Sequence, residues 1–277
     1  MGIPGAGKSR LAEKFVARDY VRLNRDEVGE SLGQIAVTLD ARLSAGSRRV
    51  VLDNTYLTRA SRSYVIETAK RHWLATRCIW LDTPLAQAQV NLVERILLRA
   101  GSLPSPEELR SLARTEPGVL MPTSQMRALR QLEEPATDEG FGHVERLAFM
   151  RSPRTTYPTK GTLVAAAALS RPGWKDAVTT ADPGAPHLVF DWNPDGMDER
   201  LNAAVRRISE LVTGPVQGAF CPHPAGPPVC WCRPPLPGLP LAFAQTRKID
   251  LARSILVGVT PADRTLATTL GATFVQV

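Results

Sequence analysis

The sequence of 277 residues has no apolar run that approaches the roughly 20 residues a membrane-spanning helix needs. It also has no N-terminal apolar segment with a cleavage site, as a secretory signal would have. These absences predict a cytoplasmic protein without a membrane partner. No block of like charge, internal repeat or low-complexity tract stands out, which argues against a basic nucleic-acid-binding tail and against a repeat architecture.

Cysteine is scarce, with four in the chain. Cys78 stands alone in an apolar, strand-like run, whereas Cys221, Cys230 and Cys232 crowd together. Such clustering suggests metal ligation rather than a disulfide framework.

The composition that is present is that of a globular protein, with 43% hydrophobic and 22% charged residues. The length allows two domains, each with its own core. A net charge of +7 favours phosphorylated or polyanionic partners without identifying one.

The first half of the chain alternates helical and strand-like patterns, which predicts an α/β fold with a parallel sheet and helices on both faces. Strands are expected at "YVRL", "RRVVLD" and "TRCIWLD". Ligands of such sheets bind beyond the carboxyl ends of the strands, where Asp26 and Asp53 would gather beside the glycine-rich start of the chain. Helices are expected over residues 8–17, in a segment ending near 45, and over 59–72, 85–100 and 106–115.

A boundary is expected at "RSPRTTYPTKG", which is rich in proline, arginine and threonine. Beyond it, "HLVFDW" and "SILVGVTPADRTLATTLGA" each predict a buried strand followed by a turn and a helix, and the Pro- and Gly-rich "CPHPAGPPVCWCRPPLPGLP" predicts an irregular loop. We therefore expect a domain over residues 1–150, a linker over 151–160 and a smaller α/β domain over 161–277.

The stretch "GIPGAGKS" fills the phosphate-loop pattern GxxxxGK[ST] without a mismatch. In such a loop, backbone N–H groups and the start of the following helix surround the phosphates. Lys8 would reach the β- and γ-phosphates of ATP, and the hydroxyl of Ser9 would help to hold Mg²⁺. A glycine-rich turn without a ligand is the alternative. The expected nucleotide-binding residues are Gly2, Pro4, Gly5, Ala6, Gly7, Lys8 and Ser9.

The segments "CPH" and "CWC" bring together Cys221, His223, Cys230 and Cys232. Four ligands of this kind can close a tetrahedral Zn²⁺ site, and four protein ligands leave no open position for catalysis. The sequence therefore predicts a structural Zn²⁺ that orders the Pro-rich loop, with Pro222 and Trp231 packed around it.

Residues 1–145 resemble the 5′-kinase domain of the polynucleotide kinase family at "GIPGAGKS", "LNRDE", "VVLDNTYLTRASR" and "RCIWLDTPLAQAQVNLVERILLR". The resemblance implies transfer of the ATP γ-phosphoryl group to a hydroxyl acceptor, such as a nucleic-acid 5′ end or a related nucleotide or small molecule. It implies that Asp26 accepts or orients the acceptor proton and that Asp53 lies on the acceptor side or in the Mg²⁺-water network. Arg95 and Arg99 match the arginines that clamp the transferred group.

Simpler interpretations stay open: strand-end aspartates often cap helices, and paired arginines often form a solvated helix face. Arg59 and Arg62 would contact substrate or solvate their helix. The family has an arginine for the 3′ phosphate of the acceptor where this chain has Gly29, so weaker discrimination for that phosphate is expected and the acceptor stays open.

Relatives of this layout have a short apolar strand immediately before the phosphate loop, and no strand precedes Met1. Without that strand the centre of the sheet would be missing and neighbouring strand edges would be exposed. We therefore expect translation to begin upstream of Met1.

Residues 155–277 resemble the zinc-loop phosphatases of the haloacid dehalogenase superfamily, most closely at the cysteine loop. These enzymes need two aspartates in a DxDGT strand end, and the nearest counterpart, "YPTKGTL", has Pro158 and Lys160 instead. Their acidic Mg²⁺ turn reads "VGVTPAD", which keeps only Asp263. The resemblance, with these losses, implies an inactive phosphatase-like domain.

Two further positions of this domain differ from the phosphatases. Asp191 stands where a phosphate-binding Ser or Thr belongs, and Arg233 could replace the phosphate-binding cation. Three hypotheses follow: a kinase fused to an inactive phosphatase-like domain, a non-catalytic ATP-binding adaptor, and a residual phosphatase with Asp191 or Asp195 as nucleophile. The sequence predicts no particular oligomeric state.

Overall fold

The computed structural model describes residues 1–25, 31–150, 157–196 and 198–277. The chain forms two compact units, one of Met1–Leu92 with Ser111–Arg151 and one of Val93–Arg110 with Ser152–Val277. The expected domain limits of 1–150 and 161–277 remain a prediction. The two units differ from those limits in that the segment Val93–Arg110 groups with the second unit. Within the described ranges, no helix has both the length and the apolar character needed to cross a bilayer.

The predicted alternation of helices and strands is confirmed in the first 150 residues. Two elements, β4 and α6, were not predicted: no position of β4 is fully buried, and α6 is short. The strands are β1 Val21–Leu23, β2 Val50–Leu52, β3 Arg77–Asp82 and β4 His143–Ala148; the helices are α1 Lys8–Val16, α2 Leu32–Ser44, α3 Arg59–Arg71, α4 Leu85–Ala100, α5 Pro106–Thr115 and α6 Pro122–Arg130.

Local capping and an apolar face explain where these helices begin and pack. The hydroxyl of Ser31 accepts the N–H of Gln34 at the start of α2, and Thr58 forms a capping box with Ser61 at the start of α3. Helix α2 buries Ile35 and two leucines one and two turns further along, against the apolar side chains of β1 and β2.

The strands of the first unit form two separate parallel pairs, β1 with β2 and β3 with β4. Met1 lies between the pairs: its ammonium group donates to the carbonyl of Ile79 (2.6 Å), and its carbonyl accepts the N–H of Leu81 (3.0 Å). The N–H of Gly2 donates to the carbonyl of Thr55, beyond β2 (3.2 Å). Met1 and Gly2 therefore make the hydrogen bonds of a strand that has a neighbour on each side.

A cavity of about 360 Å³ lies in the layer between β2 and β3. Its lining includes Val50, Val51 and Leu52 from β2 and residues 75–79 from the start of β3. Desolvation by burial lowers the pKa of the Met1 amino group to about 6.

The second unit contains a five-stranded, fully parallel sheet in the order β7-β6-β5-β8-β9, so that β5 is central. Its core packs apolar side chains of β5, β6 and β8 against the helices, as Val164, Ile208 and Val257 illustrate. The strands are β5 Thr162–Ala165, β6 His187–Trp192, β7 Val216–Cys221, β8 Ile255–Gly258 and β9 Thr273–Gln276; the helices are α7 Trp174–Thr180, α8 Asp198–Ser209, α9 Gly238–Arg247 and α10 Pro261–Leu270.

Candidate functional site

The phosphate loop is a tightly packed turn between Met1 and α1. Gly5 (φ 83°) and Gly7 (φ 96°) adopt left-handed backbone conformations that favour glycine. A Cβ on Gly5 would lie 2.4 Å from the carbonyl oxygen of Ala88 on α4, so only glycine fits. Ile3 and Ala6 are buried against the apolar side of α4. The loop is therefore fixed by packing as well as by its glycines.

Lys8 and Ser9 are the first two residues of α1. No side-chain hydrogen bond caps this helix at Gly7, and the N-terminus of a helix attracts anions through its backbone N–H groups and its dipole. The Lys8 ammonium group lies across the loop and donates to the carbonyl oxygens of Gly2 (3.1 Å) and Ile3 (3.0 Å). The nucleotide-binding residues predicted from the sequence thus form one loop and one helix start, and their roles in binding remain predictions.

Three further side chains hold the loop, and sequence reasoning missed them. The hydroxyl of Thr83 donates to the carbonyl of Ala6 (3.0 Å), and the amide of Asn91 donates to the carbonyl of Gly5 (2.8 Å). The amide of Gln125 donates to the carbonyl of Pro4 (3.2 Å). They lie between 77 and 121 residues from their partners, so no local pattern could have indicated them.

Asp53 lies directly after β2, and its side chain is 1% exposed. Its Oδ2 accepts hydrogen bonds from Nε of Arg22 (3.1 Å), from Nη2 of the same guanidinium group and from Nδ2 of Asn24 (3.0 Å). Thr58 caps the following helix, so Asp53 is not a helix cap. Asp53 and Lys8 both line the cavity between β2 and β3. The carboxylate is a buried ion-pair partner that joins the ends of β1 and β2.

Asn54 fixes the backbone that leads into the predicted catalytic turn. Its Oδ1 accepts the N–H of Arg25 (2.8 Å), and its Nδ2 donates to the carbonyl of Leu23 (3.4 Å). Asp26 and Gly29 lie outside the described residues, so the proton-accepting role of Asp26 and the specificity argument at Gly29 stay predictions.

Arg62 has a different environment from the one expected. Its side chain is 2% exposed and forms a bidentate pair with Glu139, both contacts being 2.7 Å. It also donates to the carbonyls of Tyr56 (3.1 Å) and Glu133 (3.0 Å). The expectation that Arg62 contacts substrate or solvates its helix is therefore wrong, because the fold buries it as a structural ion pair. Arg59 is exposed and pairs with Asp138 (3.1 Å).

Arg95 and Arg99 lie one turn apart on the second half of α4, as predicted. Arg95 is partly exposed and Arg99 is exposed. Both belong to the segment that groups with the second unit. Their role as clamping arginines remains a prediction.

The cysteine loop brings its four candidate ligands together. The Nδ1 of His223 lies 3.3 Å from Sγ of Cys221 and 3.2 Å from Sγ of Cys232. Sγ of Cys230 lies 3.0 Å from Sγ of Cys232 and 3.6 Å from Sγ of Cys221. All four ligand atoms lie within 4.8 Å of one another. A tetrahedron with metal–sulfur bonds of about 2.3 Å has edges of about 3.8 Å, so the cluster can hold a metal ion.

The chemistry of these donors also fits a metal. All four cysteines of the chain are free thiols. The crowded thiols affect one another: hydrogen bonds from Cys221 and Cys232 lower the pKa of Cys230, and the same contacts raise the pKa of Cys221 and Cys232. Trp231 beside it is buried at 2% exposure, in agreement with its expected packing at the cluster, whereas Pro222 is exposed.

The structure corrects the position of the expected phosphatase carboxylates. Pro158 and Lys160 lie before the central strand β5, at its amino end, and the Lys160 ammonium group is 3.4 Å from Asp182. Ligand sites of parallel sheets lie beyond the carboxyl ends of the strands, and the residues just beyond β5 include Ala166 and Ala168. These alanines are 7% and 0% exposed. No carboxylate follows β5 at this point.

The remaining phosphatase candidates have structural partners. Asp263 is buried and accepts the N–H groups of Val259 (3.0 Å) and Thr260 (2.9 Å), with Thr260 completing a capping box for α10. Arg233 donates to the carbonyls of Pro224 (2.9 Å) and Gly226 (2.5 Å), so it braces the cysteine loop. This arrangement does not support the expected phosphate-binding role of Arg233.

Asp191 also has partners within the fold. Desolvation by burial raises its pKa, and its Oδ1 accepts the N–H of Trp192 (2.9 Å). Nε of Arg200 lies 3.8 Å from its other oxygen. Asp195, the other proposed nucleophile, lies in an exposed turn.

Comparisons with known proteins match both parts of the chain. A family model described as an AAA domain matches residues 1–109. The bifunctional polynucleotide phosphatase/kinase of Schizosaccharomyces pombe is 29% identical over 150 residues, which are 54% of this chain and 32% of the yeast protein. The chain thus spans about a third of the length of that relative.

The D-glycero-beta-D-manno-heptose-1,7-bisphosphate 7-phosphatase of Pseudomonas putida is 32% identical over 136 residues, 48% of this chain and 75% of the relative. A crystal structure of D,D-heptose 1,7-bisphosphate phosphatase from B. bronchiseptica with magnesium and phosphate matches 42% of this chain and 79% of its own, with 19% identity and a TM-score of 0.33. The chain therefore belongs to the heptose-bisphosphate phosphatase family of haloacid dehalogenase-like proteins, and it joins to that domain a phosphate-loop, kinase-like domain similar to polynucleotide kinase.

Proposed function

We propose that the chain is an ATP-dependent phosphotransferase that moves the γ-phosphoryl group of ATP to a hydroxyl acceptor. A polynucleotide 5′-hydroxyl or a related nucleotide or small molecule is the proposed acceptor. The observation that carries this proposal is the packed loop of left-handed glycines that leads into the uncapped start of α1, with Lys8 and Ser9 as its first two residues.

In the proposed reaction, the acceptor oxygen forms a bond to the γ-phosphorus, the bond to the bridging β,γ-oxygen breaks, and ADP leaves. Asp26 takes the proton of the acceptor hydroxyl. Lys8 exchanges the carbonyls of Gly2 and Ile3 for phosphate oxygens, and Ser9 is a ligand to Mg²⁺. When bound, Mg²⁺ neutralises charge on the phosphate oxygens. Arg95 and Arg99 keep the clamping role that the family resemblance implies.

Asp53 has a positioning role in this proposal. The Oδ2 of Asp53 already accepts hydrogen bonds from Arg22 and Asn24, so this carboxylate is engaged in joining the ends of β1 and β2. It holds the end of β1, from which the chain continues towards Asp26. Asp26 is thus the favoured general base.

The second domain is proposed to hold a structural Zn²⁺ through Cys221, His223, Cys230 and Cys232 and to lack phosphatase activity. The crowded free thiols support zinc ligation, which requires a reducing setting such as the cytoplasm. Covalent phosphoryl chemistry of this type needs a carboxylate nucleophile, and the buried Ala166 and Ala168 offer none.

A γ-phosphate transfer screen tests the kinase. The full chain with radiolabelled ATP and Mg²⁺ would be offered 5′-hydroxyl DNA, 5′-hydroxyl RNA, nucleosides and sugars. We expect label on one acceptor class, loss of transfer with Asp26→Asn, and ATP binding retained in that variant. If ATP binds and no acceptor is labelled, the chain is an ATP-binding adaptor and the kinase proposal fails.

A phosphomonoester assay tests the second domain. The full chain with Mg²⁺ is expected to release no phosphate from generic phosphomonoesters. Turnover that disappears in Asp191→Asn or Asp195→Asn would instead establish a residual phosphatase with that residue as nucleophile.

A further inference from the structure

The carbonyl groups of residues 2–6 in the phosphate loop all accept hydrogen bonds from side chains. The Lys8 ammonium group donates to the first two of these carbonyls, and three neutral side chains donate to the next three. In chain order, the acceptors and donors are Gly2 and Ile3 with Lys8, Pro4 with Gln125, Gly5 with Asn91, and Ala6 with Thr83. Every peptide from residue 2 to residue 6 is thus held by its oxygen.

The three neutral donors come from separate parts of the first unit; Thr83 and Gln125 are buried, and Asn91 is partly exposed. Thr83 follows β3 and is 8% exposed, whereas Gln125 lies on α6 and is 0% exposed. Asn91 lies on α4, and its Oδ1 accepts a hydrogen bond from Nε2 of Gln87 (3.2 Å). That bond fixes the direction of the Asn91 amide, so its nitrogen faces the carbonyl of Gly5.

Holding a carbonyl also directs the next N–H group. In a trans peptide, the C=O of one residue and the N–H of the next point in opposite directions. The contact of Gln125 with Pro4 therefore turns the N–H of Gly5 away from Gln125, and the contact of Thr83 with Ala6 turns the N–H of Gly7 away from Thr83. The contact of Asn91 with Gly5 acts on the next peptide, whose N–H, that of Ala6, donates to the carbonyl of Ile3 (3.1 Å) and so closes the turn of the loop. Since carbonyl oxygens repel phosphate and N–H groups attract it, peptide orientation decides whether the loop accepts an anion.

We propose that Thr83, Asn91 and Gln125 are positioning residues that pre-organise the phosphate loop for the triphosphate of ATP. The inference rests on the proposed nucleotide-binding function of the loop. It assigns the loop's pre-organisation to neutral side chains outside the GxxxxGK[ST] pattern. Glycines give these peptides their freedom, and the three donors select one of the accessible orientations.

Isosteric substitutions test this inference in the full chain. Thr83→Val and Asn91→Leu remove one donor each with little change in shape. Because a hydrogen bond contributes about 0.5–1.5 kcal/mol, each variant is expected to bind Mg·ATP about two- to tenfold more weakly by calorimetry. Thr83→Ser, which keeps the hydroxyl, is expected to restore affinity. In the transfer assay, KM for ATP should rise more than kcat falls.

Thr68→Val is the matched control. Thr68 is also a buried threonine of the first unit whose hydroxyl donates to a backbone carbonyl, that of Tyr64 (2.7 Å), but it lies on α3 outside the loop. Its substitution should lower the melting temperature and leave Mg·ATP affinity unchanged. A purely structural role for Thr83 predicts the same pattern for both threonines.

The outcomes separate this inference from the proposed function. If the parent chain binds Mg·ATP and Thr83→Val and Asn91→Leu bind it equally well, the inference is overturned and the nucleotide-binding function stands. If the parent chain binds no Mg·ATP, both are overturned together. Should Thr83→Val not fold, Asn91→Leu and Gln125→Met provide the same comparison.

Discussion

At the scale of single residues, the buried carboxylate of Asp53 depends on neighbouring side chains for its charge and hydrogen-bond partners. This carboxylate is held by Arg22, whose side chain is 23% exposed, and by Asn24. Removing one partner of a buried ion pair leaves a charge without compensation, which is more destabilising than losing the contact itself. The pair of Arg59 and Asp138 is exposed, so water solvates either charge and the loss of one partner changes stability little.

We predict that Arg22→Met lowers the free energy of unfolding by about 3 kcal/mol, measured by urea denaturation. Arg59→Met is the matched control and should change it by less than about 1 kcal/mol. Adding Asp53→Asn to Arg22→Met should recover a large part of the loss, because the buried charge is then gone. Equal effects of the two arginine substitutions would contradict this explanation.

His187 makes stability depend on pH. It is 0% exposed at the start of β6, and its ring nitrogens have no hydrogen bond of normal geometry to any described residue. Burial lowers its pKa, an effect that the backbone of Ala185 offsets only in part. The folded state therefore keeps His187 neutral, whereas the unfolded chain takes up a proton near its ordinary pKa of about 6.5.

Since the unfolded state binds more protons below that pH, stability should fall as the pH drops from 7 to 5. Urea denaturation of the full chain at several pH values measures this slope. His187→Leu is expected to flatten the slope over that range. A slope that is the same in His187→Leu as in the parent would assign the pH dependence to other groups.

At the scale of elements, much of the first domain was predictable from the sequence. Apolar periodicity indicates α1, α2 and α3, capping residues mark the starts of α2 and α3, and short apolar runs indicate β1, β2 and β3. The edge strand β4 was missed because Glu145 and Arg146 interrupt its apolar residues and leave no continuous apolar run.

The cavity between β2 and β3 leads to a prediction about engineered variants. Five added residues of alternating apolar character before Met1 should continue the strand that Met1 and Gly2 begin. They would fill the cavity of about 360 Å³ and remove a desolvated amino group from it. We expect the melting temperature to rise by at least about 4 °C, which corresponds to roughly 1–2 kcal/mol.

The control is an extension of equal length made of Gly, Ser and Lys, which cannot pack in an apolar cavity. It should leave the melting temperature within about 1 °C of the parent, since its residues would stay in water. Hydrogen exchange at the N–H of Ile79 should slow only with the apolar extension. Equal stabilisation by both extensions would rule out strand insertion.

At the scale of the whole molecule, the two units have separate cores and separate chemistry. The first carries the phosphate loop, and the second carries the cysteine cluster next to β7. The loop of the second unit is rich in proline and glycine and has few apolar side chains to bury, so a metal would supply most of its order.

Metal analysis of the purified full chain should find about one zinc per chain. Cys230→Ser is expected to lose that zinc and to lower the melting temperature of the second unit, because zinc binding contributes directly to folding. Cys78→Ser is the matched control: it removes a buried cysteine outside the cluster and should keep the zinc. Equal zinc content in the two variants would exclude the cluster as the site.

The sequence by itself determined the alternation of helices and strands from α1 to α5, the phosphate loop and the four clustered ligands, because each is encoded by neighbouring residues. Cys221, His223, Cys230 and Cys232 span twelve residues, so their spacing already limits their separation. The glycines of the loop act through local backbone conformation in the same way.

Only the tertiary structure decided how these groups are supported. Arg22 and Asp53 are 31 residues apart, and Thr83 lies 77 residues from the loop carbonyl that it holds. The start of β5 at Thr162 decided that alanines, and not Pro158 and Lys160, follow the central strand. Such pairings depend on which elements pack together and on where each strand ends, and no local pattern of residues encodes either.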